Sequence, residues 1–492
     1  MTDSTTAFLP ELLYSGGRFR RGRALVCDRA GRVVRVAREE ELDEDVRVVR
    51  LRGRALLPGM VNAHSHAFQR VIRGRTEYRA ARARDSFWTW REQMYAAANR
   101  LTPEDIYAAS RMAFLEMALT GITAVGEFHY IHHSPDGSLY SDPNLLEREV
   151  IRAARDVGIR IALLRVAYAR AGFETEANPQ QVRFIEASPE TYLQHLEQLL
   201  NAPDLTNGMA WIGVAPHSVR AVPLAYLKTI VAFANERELP VHMHVAEQPA
   251  EVSACIEEYG RSPVALLETE GLLSKRFTAV HAIHVTPKAI PAIARAGASV
   301  CACPTTERNL GDGVVPVDAY FDAGVRVALG TDSQIQIDLL EDARELEYHL
   351  RLQKTARNVL APHNDTGSAA LARRLFDCAS INGARSIGFE GGKLEPGAPA
   401  DFFTVDLDDP SIAGSSTDDL LANIVFSLSR AAVRDVVVAG NQIVENGRHL
   451  QQETIVQAFT NLCGPLRNSA LSALKSDLTQ RTQRTAEGRR EN

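Results

Sequence analysis

Eight short apolar runs, separated by stretches with helical periodicity, dominate residues 56 to about 385, and few folds accommodate that alternation. The runs are LLPGMVNAH from Leu56, GITAVGEF from Gly121, IRIALLRV from Ile159, MAWIGVAPH from Met209, LPVHMHVAE from Leu239, FTAVHAIHV from Phe277, ASVCACP from Ala298 and VRVALGTDS from Val325. Between them lie pieces such as TPEDIYAASRMAFLEMAL and NLLEREVIRAARDVG, whose apolar residues recur at helical spacing. Thr102 before Pro103 marks a helix start. Eight strand–helix units predict a closed (β/α)8 TIM barrel of the α/β class.

The flanks read differently. Residues 1 to about 55 carry β-branched runs between Gly and Asp turns, with a hairpin connection at Asp28 to Gly31. After about residue 388 the chain is β-like again, with two strands in AVRDVVVAGNQIVENG joined near Gly440 and Asn441. The expected organisation is a small β-sandwich-like domain from 1–55 plus 388–465, a hydrolase barrel over 56–387, and a helical segment fading into a polar tail over 466–492. Two inserts interrupt the minimal barrel pattern. Residues 67 to 100 are basic and aromatic, and residues 167 to 208 follow the third strand. Each is either a surface excursion or a wall over the catalytic face.

Charge narrows the function classes. A formal net charge of −6 and the lack of a basic stripe beside an aromatic platform argue against nucleic acid or an anionic membrane as partner. The cluster RFRRGR from Arg18 reads as a solvated turn. Six cysteines are sparse and unpatterned, which suits a reducing, cytoplasmic setting. Cys301 and Cys303 in ASVCACP read as small apolar strand residues. The first residues, MTDSTTAFLPELLY, have no basic and apolar regions of a secretory signal, and no run reaches the length of a membrane span.

In a (β/α)8 barrel the chemistry gathers at the C-terminal strand ends, and here those ends are polar. They present His64, His66, Glu127, His217, His244, Glu247, His281 and Asp332. His64 and His66 are two residues apart on an extended chain, so both side chains point to one side and can share a metal ion. His244 is the third ligand candidate, with His242 left as a neighbour or a core histidine. Asp332 is either a last ligand that also holds the nucleophilic water or the cap of the following helix. Glu247 lies three residues past His244. There it is either a proton carrier for that water or a salt-bridging loop residue. His281, rather than His284, is expected to face the pocket and favour a developing tetrahedral centre. A zinc ion so held lowers the pKa of its water towards about 7, which predicts hydrolytic removal of an amine or opening of an amide.

LPGMVNAHSH, HVAEQ, VHAIHV and GTDS resemble the recurring motifs of the amidohydrolase superfamily, in its deaminase and chlorohydrolase branch, from about residue 12 to 465. More closely, HSHAFQR, SFWTWREQMY, GEFHYIHH, APHSVRA and HMHVAEQ are similar to the formimidoylglutamate deiminase family. That resemblance implies one zinc per subunit on His64, His66, His244 and Asp332, with Glu247, His281 and Asp332 catalytic. It implies that Gln69, Arg91, Tyr130 and Arg220 bind a small dicarboxylate, N-formimino-L-glutamate, with His217 lining the pocket. It further implies a homodimer. Two-metal relatives carry a bridging lysine at the fourth strand end; WIGVAPHS has none. The alternatives are a zinc aminohydrolase of a purine, pteridine or triazine ring, a ring-opening amidohydrolase such as imidazolonepropionase, and a non-catalytic zinc-binding scaffold.

Overall fold

A computed structural model describes residues 5–78, 86–173, 175 and 178–464. The segment expected as a terminal helix and tail, 466–492, lies outside the described residues. The eight apolar runs form strands β1 (Met60–Ser65), β2 (Ile122–His129), β3 (Arg160–Ala167), β4 (Ala210–Pro216), β5 (Val241–Val245), β6 (Phe277–His281), β7 (Ser299–Ala302) and β8 (Arg326–Leu329). They pair in sequence order, all parallel, with helices between them. Both faces of these strands are covered, so their residues are almost all buried and the runs are continuously apolar rather than alternating. Thr102 caps the helix Pro103–Leu119: its hydroxyl accepts from the Asp105 amide at 3.2 Å, and Asp105 accepts from the Thr102 amide at 3.0 Å.

The ring closes between the first and last strands. Ser65 bridges to Asp332; the Asp332 amide donates to His64 O at 3.0 Å, and the His66 amide donates to Asp332 O at 3.0 Å. Side chains reinforce the seam. Asn62 Nδ2 donates to Thr331 Oγ1 at 2.7 Å, Gln334 Nε2 donates to Ser65 Oγ at 2.8 Å, and Ser65 Oγ donates to Glu127 Oε2 at 2.5 Å. Gly330 permits the approach, since a Cβ there would lie 2.7 Å from His64 Cβ and 2.8 Å from His64 O.

The flanking segments share one nine-stranded sheet. Its strand Arg47–Pro58 runs parallel to Thr6–Ser15 on one side and antiparallel to Phe402–Asp406 on the other, interleaving the two ends of the chain. Phe8, Leu25 and Val33 share an apolar interior with Leu56, Phe402 and Val437, so the sheet curls over itself. Arg160 at the start of β3 ties it to the barrel, donating to both carboxylate oxygens of Asp401 at 2.7 and 3.1 Å. Two helices, Leu420–Ser427 and residues 452–464, lie within the part expected to be β. LLANIVFS is a short apolar run whose periodicity does not separate helix from strand. No helix among the described residues is long and apolar enough to cross a membrane.

Behind β2 and β3, Arg165 is fully buried between two carboxylates, 2.5 Å from Glu186 and 3.3 Å from Glu147, and His132 Nδ1 donates to Glu147 at 2.7 Å. Burial alone would raise the Glu147 carboxyl, but Arg165 and then His132 outweigh it and hold it down at about 2. This pairing contributes its full stability above the unfolded value of 4.5 and loses it as the pH falls towards 2.

Two outcomes follow from these contacts. Gly330→Ala should cost about 1–3 kcal/mol by overpacking the closing seam, read as a lower denaturation midpoint; an unchanged midpoint would show the seam to be slack. Glu147→Gln should cost about 3–5 kcal/mol at neutral pH, by leaving Arg165 undercompensated. Its urea midpoint should also fall less than the native one on acidification from pH 4.5 to 2.

Candidate active site

The strand ends of β1, β5, β6 and β8 converge on one buried point. His64 Nε2 lies 3.2 Å from His66 Nε2 and 3.2 Å from His244 Nε2. Asp332 Oδ1 lies 3.3 Å from His66 Nε2 and 3.6 Å from His64 Nε2. The far nitrogens fix the tautomers of two rings: His66 Nδ1 donates to Phe128 O at 2.9 Å and His244 Nδ1 donates to His217 O at 3.1 Å. A carbonyl only accepts, so their protons sit on Nδ1 and bare lone pairs face inward. Burial, reinforced by neighbouring histidines, holds His64 and His244 well below the usual imidazole range, and burial takes His66 down to about 3.

Neutral imidazole lone pairs and a carboxylate crowded together repel one another unless a cation stands between them. Ligand atoms around a tetrahedral zinc, each at roughly 2.0–2.1 Å, sit roughly 3.3–3.4 Å from one another. The donor set and its spacing therefore fit one divalent ion. No lysine stands at the end of β4; Lys228 is in the helix Leu224–Glu236 and pairs with Glu270. Asp332 is not a helix cap, because Asp338 fills that role with bonds to the Leu340 and Glu341 amides.

Beside the ligand cluster, His281 Nε2 lies 3.7 Å from both Glu247 Oε1 and Asp332 Oδ2. Burial pushes Glu247 up to about 7 and Asp332 up to about 6. Burial works to lower His281, but Glu247, a hydrogen bond to Glu307, and Asp332 more than offset it and hold the ring above its ordinary value. The backbone passes through left-handed conformations at Ala246, His281, Ala282 and Asp332, each costing about 1–3 kcal/mol for a side-chain-bearing residue. Strain of this kind concentrated at three strand ends marks a site whose side chains are aimed at the expense of the backbone.

Other polar residues of the strand ends have supporting places. Glu127 accepts from Ser65 Oγ and, at 2.7 Å, from the Ala67 amide, which braces the turn after β1. His242 is buried one layer below the cluster, bonded to Ser386 O at 2.8 Å. His284 is bonded to Asp312 O at 2.9 Å.

A cavity opens on the cluster. All five residues expected to contact substrate line it: Gln69, Arg91, Tyr130, His217 and Arg220. Gln69 Nε2 donates to Tyr130 Oη at 2.9 Å, and Arg91 stacks over Trp88 at 4.5 Å. Arg91 reaches the cavity because part of the first insert folds as the helix Phe87–Ala98, laid over the barrel mouth. The same helix brings Phe87, Trp90, Met94 and Tyr95, and Tyr168 follows β3; the sequence pattern does not mark these as lining. Their only signal was position: a run of aromatic residues in SFWTWREQMY, and one residue just past a strand end.

The amidohydrolase family model matches residues 55–443. A formimidoylglutamate deiminase from Pseudomonas aeruginosa is 41% identical over 84% of this chain and 90% of its own length. A 5-methylthioadenosine/S-adenosylhomocysteine deaminase from Natronomonas pharaonis is 30% identical over 80% of this chain and 82% of its own. Among solved structures, an amidohydrolase from Brucella melitensis superposes with a TM-score of 0.83 at 34% identity, covering 94% of this chain and 99% of that one. An atrazine chlorohydrolase from Arthrobacter aurescens, complexed with zinc, gives 0.79 at 25% identity, covering 93% and 99%. With the family match spanning the barrel and most of the strands that follow it, the chain belongs to the amidohydrolase family and is a hydrolase acting on carbon–nitrogen bonds.

Proposed function

We propose that this hydrolase converts N-formimino-L-glutamate and water to N-formyl-L-glutamate and ammonia, with one zinc ion per chain, as a step in histidine degradation. The observation that carries the reading is a single cavity with two unlike groups of side chains: buried imidazoles and carboxyls around Asp332, and the guanidiniums of Arg91 and Arg220. A linear substrate with an amidine head and two carboxylates matches that pairing, because guanidinium makes two-pronged contacts with carboxylate. A purine or triazine ring would leave both arginines without a counter-charge. The 41% identity to the Pseudomonas deiminase supports the same substrate.

His64, His66, His244 and Asp332 would hold the zinc, which when bound supplies a Lewis acid and draws the pKa of water towards about 7. Glu247, held at about 7, is matched to accept the proton of the attacking water. The water oxygen bonds to the formimino carbon, the C=N pair moves onto nitrogen, and Glu247 returns the proton there. The remaining hydroxyl proton then passes by way of Asp332 to the same nitrogen, and as the C=O bond forms the C–N bond breaks and ammonia leaves. Nε2 of His281 faces the same space and favours the charge that develops. Arg91 and Arg220 anchor the carboxylates, with Gln69, Tyr130 and His217 completing the wall.

Purified protein given N-formimino-L-glutamate should release ammonia and N-formyl-L-glutamate in equal amounts, and chelation should abolish this until zinc is restored. A folded, zinc-loaded sample that releases no ammonia would end the assignment. Glu247→Gln should keep its metal while kcat drops about 10²- to 10⁴-fold; undiminished kcat would remove Glu247 from the mechanism. Arg91→Met and Arg220→Met should each raise KM about 10- to 100-fold. An unchanged KM in both would favour a ring substrate.

A further inference from the structure

The reaction as proposed uses one face of His281 and leaves the other unexplained. That other face meets Glu307, a carboxylate on the helix Pro304–Leu310 after β7 that is only 2% exposed. His281 Nδ1 lies 3.2 Å from Glu307 Oε1, and the same oxygen accepts from the Cys303 amide at 2.8 Å. The backbone amide anchors the carboxylate, and the carboxylate in turn anchors the ring. His281 needs such an anchor: it sits in a left-handed conformation at φ 65°, followed by Ala282 at 50°, where the chain leaves β6. Its Nε2 is 3.7 Å from Glu247 and 3.7 Å from Asp332, too far for a hydrogen bond to either. Among the described residues no hydrogen bond holds Nε2 on that side, although the His244 ring stacks on His281, and the gap is the space a reacting group would enter.

We propose that Glu307 is a positioning residue for the reaction, fixing a hydrogen on His281 Nδ1 and turning Nε2 into the gap between Glu247 and Asp332. The arrangement follows a general logic, in which a buried carboxylate behind an imidazole sets its tautomer and its orientation. This inference rests on the catalytic part given to His281 above. His281, Cys303 and Glu307 also lie close enough to share a metal ion, so the test must separate the two uses of the cluster.

Glu307→Gln keeps the size of the side chain and an acceptor oxygen but removes the charge. In the zinc-loaded variant, kcat for N-formimino-L-glutamate should fall about 10- to 100-fold with KM within twofold of the native value and the denaturation midpoint retained. A variant with native kcat, or one losing kcat only in proportion to lost zinc or raised KM, overturns the proposal. So does a second tightly bound metal per chain that disappears with the substitution. Nitrogen-15 NMR of the histidine-labelled, zinc-loaded native protein gives an answer that needs neither the variant nor turnover. A downfield Nδ1–H proton, lost in His281→Asn and protected from solvent exchange, is expected; a His281 ring with its hydrogen on Nε2 alone, or with Nδ1–H in free exchange, overturns the proposal. If the native enzyme releases no ammonia, the substrate assignment fails while the NMR result still judges Glu307.

Discussion

Two backbone hydrogen bonds where the chain leaves β8 and β1 hold the site together. They pair Asp332 with the segment His64–His66, and so fix in one stroke the relative positions of three of the four residues that face one another at the barrel mouth. A slip of one residue would turn the carboxyl of Asp332 to the opposite face. The seam resists that slip through Asn62, Thr331, Gln334 and Ser65, and through a glycine at 330 that lets the strands touch. Asp332 itself is held at φ 46°, a conformation that only a rigid surrounding sustains.

Burial then does opposite things to the two kinds of group gathered there. It keeps the imidazoles of His64, His66 and His244 neutral and pushes the carboxyls of Glu247 and Asp332 towards keeping their protons, because in both cases the charged form loses its water. The result is a set of neutral nitrogen donors beside acids poised near neutrality, an environment made for a cation and for proton exchange. The chain solves the same problem without a metal behind β3, where Arg165 supplies the positive charge and Glu147 and Glu186 stay ionised around it. The barrel thus carries a buried charge cluster neutralised from within, around Arg165, and another, with donors suited to a cation, that opens on the cavity.

The fold was legible because parallel strands covered on both faces must be continuously apolar, and because Thr102, Pro103 and their like mark where helices begin. The short helix Leu420–Ser427 was not, since a run such as LLANIVFS suits either period. At the site, His64 and His66 could be paired from spacing alone. Glu307 could not be found in that way: it is one acid among many in the sequence, and its role exists only because β6 and β7 are neighbours. The alternative fates of Asp332 and Glu247 likewise needed the structure. Asp338 takes the cap that Asp332 was free to take, and Glu247 faces His281 rather than a surface cation.

By itself the sequence determined the number and order of the barrel strands and which strand ends bear imidazole and carboxyl groups. Those are properties of local pattern, and local pattern is what strand and helix periods encode. The tertiary structure alone decided the distances among His64, His66, His244 and Asp332, the folding of the Phe87–Ala98 helix across the mouth, and the partner behind His281. These depend on barrel closure and on contacts between residues far apart in the chain, and no spacing along a chain fixes the distance across a ring.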